Sequence, residues 1–235
     1  MSTGDWEFRF RFWTIALVFW AGFAAYAIDH VNVVARIAGW RGVPAAEAMH
    51  VAFAAGAALT VTAALLRTWA AAYLRSEVVH DGALRSERLV ADGPYRHVRN
   101  PLYLGTLLLA ASIGLMASGL GWLVIVLGMA FVTRRLIARE EAALVASQGS
   151  AYRAYLDAVP PIVPSLRPRV PAGDEPAHWG QAFVGEVPMW AFAAAAIVLA
   201  VTLDRKAAFE IIQVSLIVYA VQWAIGMRRA DARRS

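Results

Sequence analysis

Gly93-Pro94-Tyr95-Arg96-His97-Val98-Arg99-Asn100-Pro101-Leu102-Tyr103-Leu104-Gly105 is a basic, turn-rich loop that runs straight into an apolar helix. Gly-Pro marks a turn. Pro101 disfavours helical geometry at Asn100 and suits the first turn of the helix it opens, so Asn100 is expected at the helix cap. One apolar hairpin later the chain returns with Arg139-Glu140-Glu141. The loop and the two acids are therefore expected on one side of a membrane, bracketing a pair of apolar helices. That arrangement suggests a ligand pocket at a membrane surface.

Composition supports the membrane setting. Of 235 residues 60% are hydrophobic and 17% charged, with a mean hydropathy of +0.53, too little polar residue to cover a soluble domain. Runs that approach the roughly 17–25 residues a spanning helix needs occur at Phe12–Ile28, His50–Leu74, Leu102–Met116, Gly121–Ile137, Val187–Leu203 and Ala207–Met227. The expectation is an all-α, polytopic transmembrane helical bundle of about six spans. Cysteine is absent, which excludes disulfides, thiolate metal sites and a cysteine nucleophile. The net charge of +5 is dispersed along membrane-flanking loops, so anionic lipid head groups, not nucleic acid, are the expected counter-charge. Arg9, Arg11 and the triplet Ala25-Tyr26-Ala27 resemble a secretory signal, but Trp13, Phe19 and Trp20 suit a retained anchor with interfacial aromatics.

Arginine asymmetry gives an expected orientation. Arg75, Arg85, Arg88, Arg96 and Arg99 fall between the second and third runs, and Arg134, Arg135, Arg139, Arg153, Arg167 and Arg169 between the fourth and fifth. Arg228, Arg229, Arg233 and Arg234 close the chain, whereas the opposite loops hold Arg36, Arg41, Arg205 and Lys206. Both termini and both long polar loops are thus expected in the cytoplasm, as in a bacterial inner-membrane protein. The chain divides into four parts: an N-terminal span and non-cytoplasmic loop (1–49), a functional core (50–168), a linker broken by proline and glycine (169–186) and a C-terminal two-span extension (187–235), whose part in function and oligomeric state is open. Residues 139–157 read as helical, with a break at Gly149-Ser150.

Several residues admit two meanings. Arg99-Asn100-Pro101 is either a helix start or a point where backbone N–H groups, Arg99 and two tyrosines converge on a ligand. Gly93 and Gly105 serve either close packing or the approach of a flat heterocycle to the backbone. Glu140-Glu141, beside Arg134, Arg135 and Arg139, is a charge-balanced helix end or a carboxylate pair for a cationic ligand. Arg67 lies inside the second run, where it costs roughly 2.5–3.5 kcal/mol on insertion scales. It either snorkels to the interface or pairs with Glu140, Glu141 or an anionic substrate group. His30, His50, His80, His97 and His178 lack metal-ligand spacing, so no metal is expected. Neither a Gly-x-Ser-x-Gly nor a phosphate-binding glycine motif is present.

Taken in order, Leu66-Arg67-x-x-Ala70, Gly93-Pro94-Tyr95-x-x-Val98-Arg99-Asn100-Pro101-x-Tyr103-x-Gly105, Arg135-x-x-x-Arg139-Glu140-Glu141-x-x-Leu144, Gly149-x-x-Tyr152-x-x-Tyr155 and Val159-Pro160 resemble the isoprenylcysteine carboxyl methyltransferase family. Its superfamily includes phospholipid N-methyltransferases and bacterial thiol methyltransferases. The resemblance implies a membrane-embedded enzyme that binds S-adenosylmethionine from the cytoplasm and takes a lipophilic or small acceptor. By position, it implies Tyr95, Val98, Arg99, Asn100, Pro101, Tyr103, Gly105, Glu140 and Glu141 as cofactor residues. Many members have His where this chain has Asn100, and an amide does not titrate as a base.

Methyl transfer asks mainly for positioning and exclusion of water. A carboxylate acceptor needs no base, and Arg67 or Arg153 would orient it. An amine or thiol must lose a proton, with Glu140 or Glu141 as base. Acceptor identity stays open. The contrasting possibility is a non-catalytic membrane protein, a small transporter or assembly subunit, whose arginines and glutamates are interfacial charge pairs.

Overall fold

The computed structural model describes residues 11–74, 91–174, 176–215 and 217–218. In chain order the helices are α1 (Arg11–Ala24), α2 (Val33–Arg41), α3 (Ala45–Ala72), α4 (Pro101–Gly114), α5 (Gly119–Gln148), α6 (Ser150–Ala158), α7 (Trp179–Gly185), α8 (Val187–Thr202) and α9 (205–215). Two 3-10 turns, Ala25–Ala27 and Gly93–Arg96, lie in the connections. No strand occurs among the described residues, so the expected all-α class holds.

Fewer spans than expected are found among the described residues. Two described helices are long and apolar enough to cross a bilayer, α3 with 28 residues and α5 with 30, and the bent pair α7–α8 makes a third if taken as one broken span. Trp13–Ala27 and Pro101–Gly114 are shorter apolar helices. At 1.5 Å per residue they reach about 21–22 Å, against a hydrocarbon core of about 30 Å. Two to three candidate spans thus stand among the described residues, and the expected six are not confirmed. The sixth run extends past the described residues, as do Arg9, His80, Arg75, Arg85, Arg88 and the four C-terminal arginines on which the orientation partly rests. The fourth apolar run is continuous with the helical stretch that follows it: one helix carries the chain through Glu140 and Glu141 to Gln148. It stops at Gly149, with φ +61°, where the sequence placed a break.

Small residues set the packing. The principal contacts run α8–α3–α4–α5–α1, with α7 also laid against α3. On α3, Ala63 and Ala64 are fully buried and face Leu109 of α4 and Met189 and Ala193 of α8. Thr60 Oγ1 donates to Ser112 Oγ at 2.9 Å, a polar link between α3 and α4. Between α1 and α5 the backbones meet directly, because a Cβ on Gly121 would lie 2.2 Å from the Gly22 carbonyl oxygen. Close approach of this kind is what associates helices in lipid, where apolar burial between them gains nothing over lipid contact. Helix ends are also tied: Asn32 caps α2 by accepting from Val34 N at 2.9 Å and Ala35 N at 3.2 Å, while its Nδ2 donates to the Leu115 and Ala117 carbonyls.

Gly121→Ala forces α1 away from α5 and is expected to cost about 1–3 kcal/mol, read as a lower thermal midpoint in detergent. Gly39→Ala is the control, since a Cβ there meets nothing within 4 Å. A mid-helix Gly→Ala change at such a site is expected to be neutral or to stabilise by up to about 1 kcal/mol.

Candidate active site

The loop before α4 is held from three sides. Gly93 turns the chain with φ +56°, and a Cβ there would lie 2.4 Å from the Tyr73 ring at the end of α3. Pro94, Tyr95 and Val98 are buried, and the His97 and Val98 amides donate to the Pro94 carbonyl at 2.9 and 3.0 Å. The segment after α6 supplies the outer wall. Arg99 N donates to the Pro160 carbonyl at 2.9 Å, Ser165 N to that of His97 at 2.9 Å and Arg169 N to that of Arg96 at 2.8 Å. Tyr155 Oη donates to the Tyr95 carbonyl at 2.8 Å.

This frame delivers the loop side chains to the two glutamates. Arg99 Nε donates to Glu141 Oε1 at 3.0 Å, and Asn100 Nδ2 donates to the same oxygen at 3.2 Å and to the Pro161 carbonyl at 3.1 Å. Arg99 Nη1 also donates to the Leu156 carbonyl. Tyr103 Oη donates to Glu140 Oε1 at 2.6 Å. Adjacent residues on a helix point about 100° apart, which lets Glu141 face the loop while Glu140 faces α4. Both hydrogen bonds to Glu141 end on Oε1, so Oε2 has no hydrogen-bond partner among the described residues.

Asn100 stands at the cap position of α4, yet its side chain makes no capping bond. The amide is turned instead to Glu141. Pro101 is buried at the first helical position, as its fixed φ favours. Neither glycine presents an open face: Gly93 abuts Tyr73, and a Cβ on Gly105 would lie 2.4 Å from Arg67 Cγ. Their absent side chains serve internal packing.

Arg67 does not pair with Glu140 or Glu141. Its Nε and Nη2 meet Glu186 Oε2 and Oε1 at 2.7 and 2.9 Å, and Nη1 donates to the Leu102 carbonyl at 3.1 Å and Thr106 Oγ1 at 3.0 Å. Sequence pattern did not mark Glu186, although a lone acid between Gly185 and Val187-Pro188, at the mouth of an apolar run, is a signal of the same kind as Arg67. The carbonyls of Leu156, Pro160 and Pro161 were also unforeseen, since main-chain acceptors leave no mark on residue type. Arg153 is exposed on α6, whose opposite side buries Tyr152 and Tyr155.

Electrostatics keep three phenols protonated. Burial raises Tyr95 above its usual value, with Tyr155 adding to the effect. Burial likewise raises Tyr155, followed by the influence of Tyr152. Tyr152 is pushed up to about 12, first by burial and then by Glu141. Tyr155 acts as a donor and all three as packing surfaces, not as bases. A separate cavity of about 350 Å³ lies between Tyr26, Met49, Phe53, Met116 and Leu203, at the opposite ends of the helices that carry the glutamates and the loop. It does not touch this chemistry.

Residues 51–149 match the phospholipid methyltransferase family. The match takes in most of α3 and all of the loop, α4 and α5, and so contains Arg67, Arg99, Asn100, Tyr103, Glu140 and Glu141. It agrees with the resemblance found in the motifs, and the family is one of methyltransferases. The apolar helices on which this core is built fit an integral membrane protein. No curated protein and no solved structure matches the chain.

An unfolded tyrosine ionises near 10, whereas folded Tyr152 holds its proton to about 12. The stability it contributes is therefore full below pH 10 and is lost as pH rises towards 12. Thermal midpoints in detergent are expected to fall across that window, and Tyr152→Phe should flatten part of the slope.

Proposed function

We propose that the chain is an S-adenosylmethionine-dependent membrane methyltransferase whose cofactor site is formed by Tyr95 to Gly105 and the pair Glu140–Glu141. The observation that carries this is the convergence of Arg99 and Asn100 on Glu141 and of Tyr103 on Glu140, inside the segment that matches the family. The donor set suits the cofactor's chemistry. A cation with an amino group and ribose hydroxyls asks for carboxylate acceptors and aromatic surface, and Glu141 Oε2 is without a partner among the described residues. When bound, S-adenosylmethionine supplies a methyl group already activated on a sulfonium.

The chain's own residues would then position and shield. Arg99 holds Glu141 in place and is itself fixed by the Leu156 carbonyl. Asn100 orients the same carboxylate and does not titrate. Burial of Tyr95, Val98 and Pro101 keeps water from the floor of the loop. Should the acceptor be an amine or a thiol, Glu140 is the group suited to take its proton, with Tyr103 Oη poised on Oε1. Arg67 is engaged on four donors by Glu186, Leu102 and Thr106, which argues against its orienting an acceptor carboxylate. The family description favours a lipid acceptor, consistent with apolar helices on both sides of the site. The loop face is assigned to the cytoplasm and the protein to the bacterial inner membrane on arginine distribution.

Calorimetric titration of the purified protein with S-adenosylhomocysteine is expected to give saturable, one-to-one binding. Folded protein that takes up none overturns the proposal. Glu141→Gln keeps the shape and removes the charge, and should weaken binding by about tenfold or more, the size of one lost hydrogen bond to a charged group. Wild-type affinity in that variant would place the cofactor elsewhere.

A further inference from the structure

Glu186 and Trp190 lie outside the segment that matches the family, yet they bind two adjacent residues near the end of α3. Glu186 meets Arg67 with both carboxylate oxygens, and Trp190, one turn on, donates Nε1 to Thr68 Oγ1 at 3.1 Å. His178 N donates to the Ala72 carbonyl at 2.6 Å, and Phe183 stacks on Trp190 with ring centres 5.9 Å apart. Residues 178–190 are thus stitched along α3 from Arg67 to Ala72. Glu186 itself sits at the 63° break between α7 and α8 and is 4% exposed. A carboxylate there is costly unless it is paired.

Arg67 passes this restraint to α4. Its stem crosses at Gly105, where a side chain would collide, and Nη1 holds the Leu102 carbonyl and Thr106 Oγ1. Leu102 belongs to the first turn of α4, the turn that presents Asn100 to Glu141 and Tyr103 to Glu140. A shift of that turn would move both donors off the glutamates.

We propose that Glu186 is a positioning residue of the candidate site: through Arg67 it fixes the first turn of α4, so that a segment from beyond the family core completes the pocket. This rests on the methyltransferase reading above. A pair that merely fastens α8 to the bundle would alter stability without altering affinity for the cofactor.

The test is S-adenosylhomocysteine affinity by calorimetry, with thermal midpoint recorded in parallel, on the full chain in detergent. Glu186→Gln should weaken binding about tenfold, and the double variant Arg67→Met/Glu186→Met, which leaves no lone buried charge, should be equally weak with a midpoint near wild type. Thr106→Val removes one Arg67 partner, leaves the ion pair intact and should cost about threefold in affinity. If the double variant does not fold, Thr106→Val and Glu186→Gln decide. Wild-type affinity in the folded variants overturns the proposal and makes the pair a brace. Absence of binding by the wild-type protein instead overturns the methyltransferase reading itself, and this proposal with it.

Discussion

Helix α5 is the constraint on which the rest depends. Thirty unbroken residues measure about 45 Å, half as long again as a hydrocarbon core of about 30 Å. The helix is long enough to cross the layer and still extend beyond it, and Glu140 and Glu141 lie in its last third, past Arg134 and Arg135. Carboxylates on a rigid helix are held more tightly than carboxylates on a loop. The loop from Gly93 to Asn100 comes to them by fastening its main chain to the segment after α6.

The two half-buried arginines are paired in chemically different ways. Arg67 meets both oxygens of Glu186, so this carboxylate is taken up along its whole edge. Arg99 meets one oxygen of Glu141 and shares it with Asn100. Breaking either pair leaves a charge in a poorly hydrated place, which generally costs more than the pair gains over an apolar replacement. The first pair resembles a closed joint, while the second retains capacity to accept a further donor.

Much of this is legible in the chain. Apolar runs give the helical class, Gly149 gives the end of α5, and the ordered motifs bring Arg99, Asn100, Tyr103 and the glutamates to one place. Span number is not legible, because hydropathy does not tell a helix of 14 or 15 residues from one that crosses the bilayer, nor a straight helix from the bent pair at Glu186. The partner of Arg67 escapes for a related reason. Charge pairing across 119 positions depends on how α7 and α8 fold back onto α3, and no local spacing encodes it. The glycines stand out but their neighbours do not, since residue type marks where a side chain is missing and not which group fills the gap.

The outer wall of the loop is made of carbonyl oxygens from Leu156, Pro160, Pro161 and Ser165. Any residue offers the same oxygen, so these four contacts impose almost no demand on side-chain identity, unlike the Tyr155 hydroxyl that holds the Tyr95 carbonyl. Its demand is for register: the chain from Gly149 to Ser165 must be of the right length to bring those oxygens opposite His97, Arg99 and Asn100. Substitutions at its exposed positions would pass unnoticed, unlike those at buried Tyr152, Tyr155 and Val159, whereas a single inserted or deleted residue would displace the whole wall.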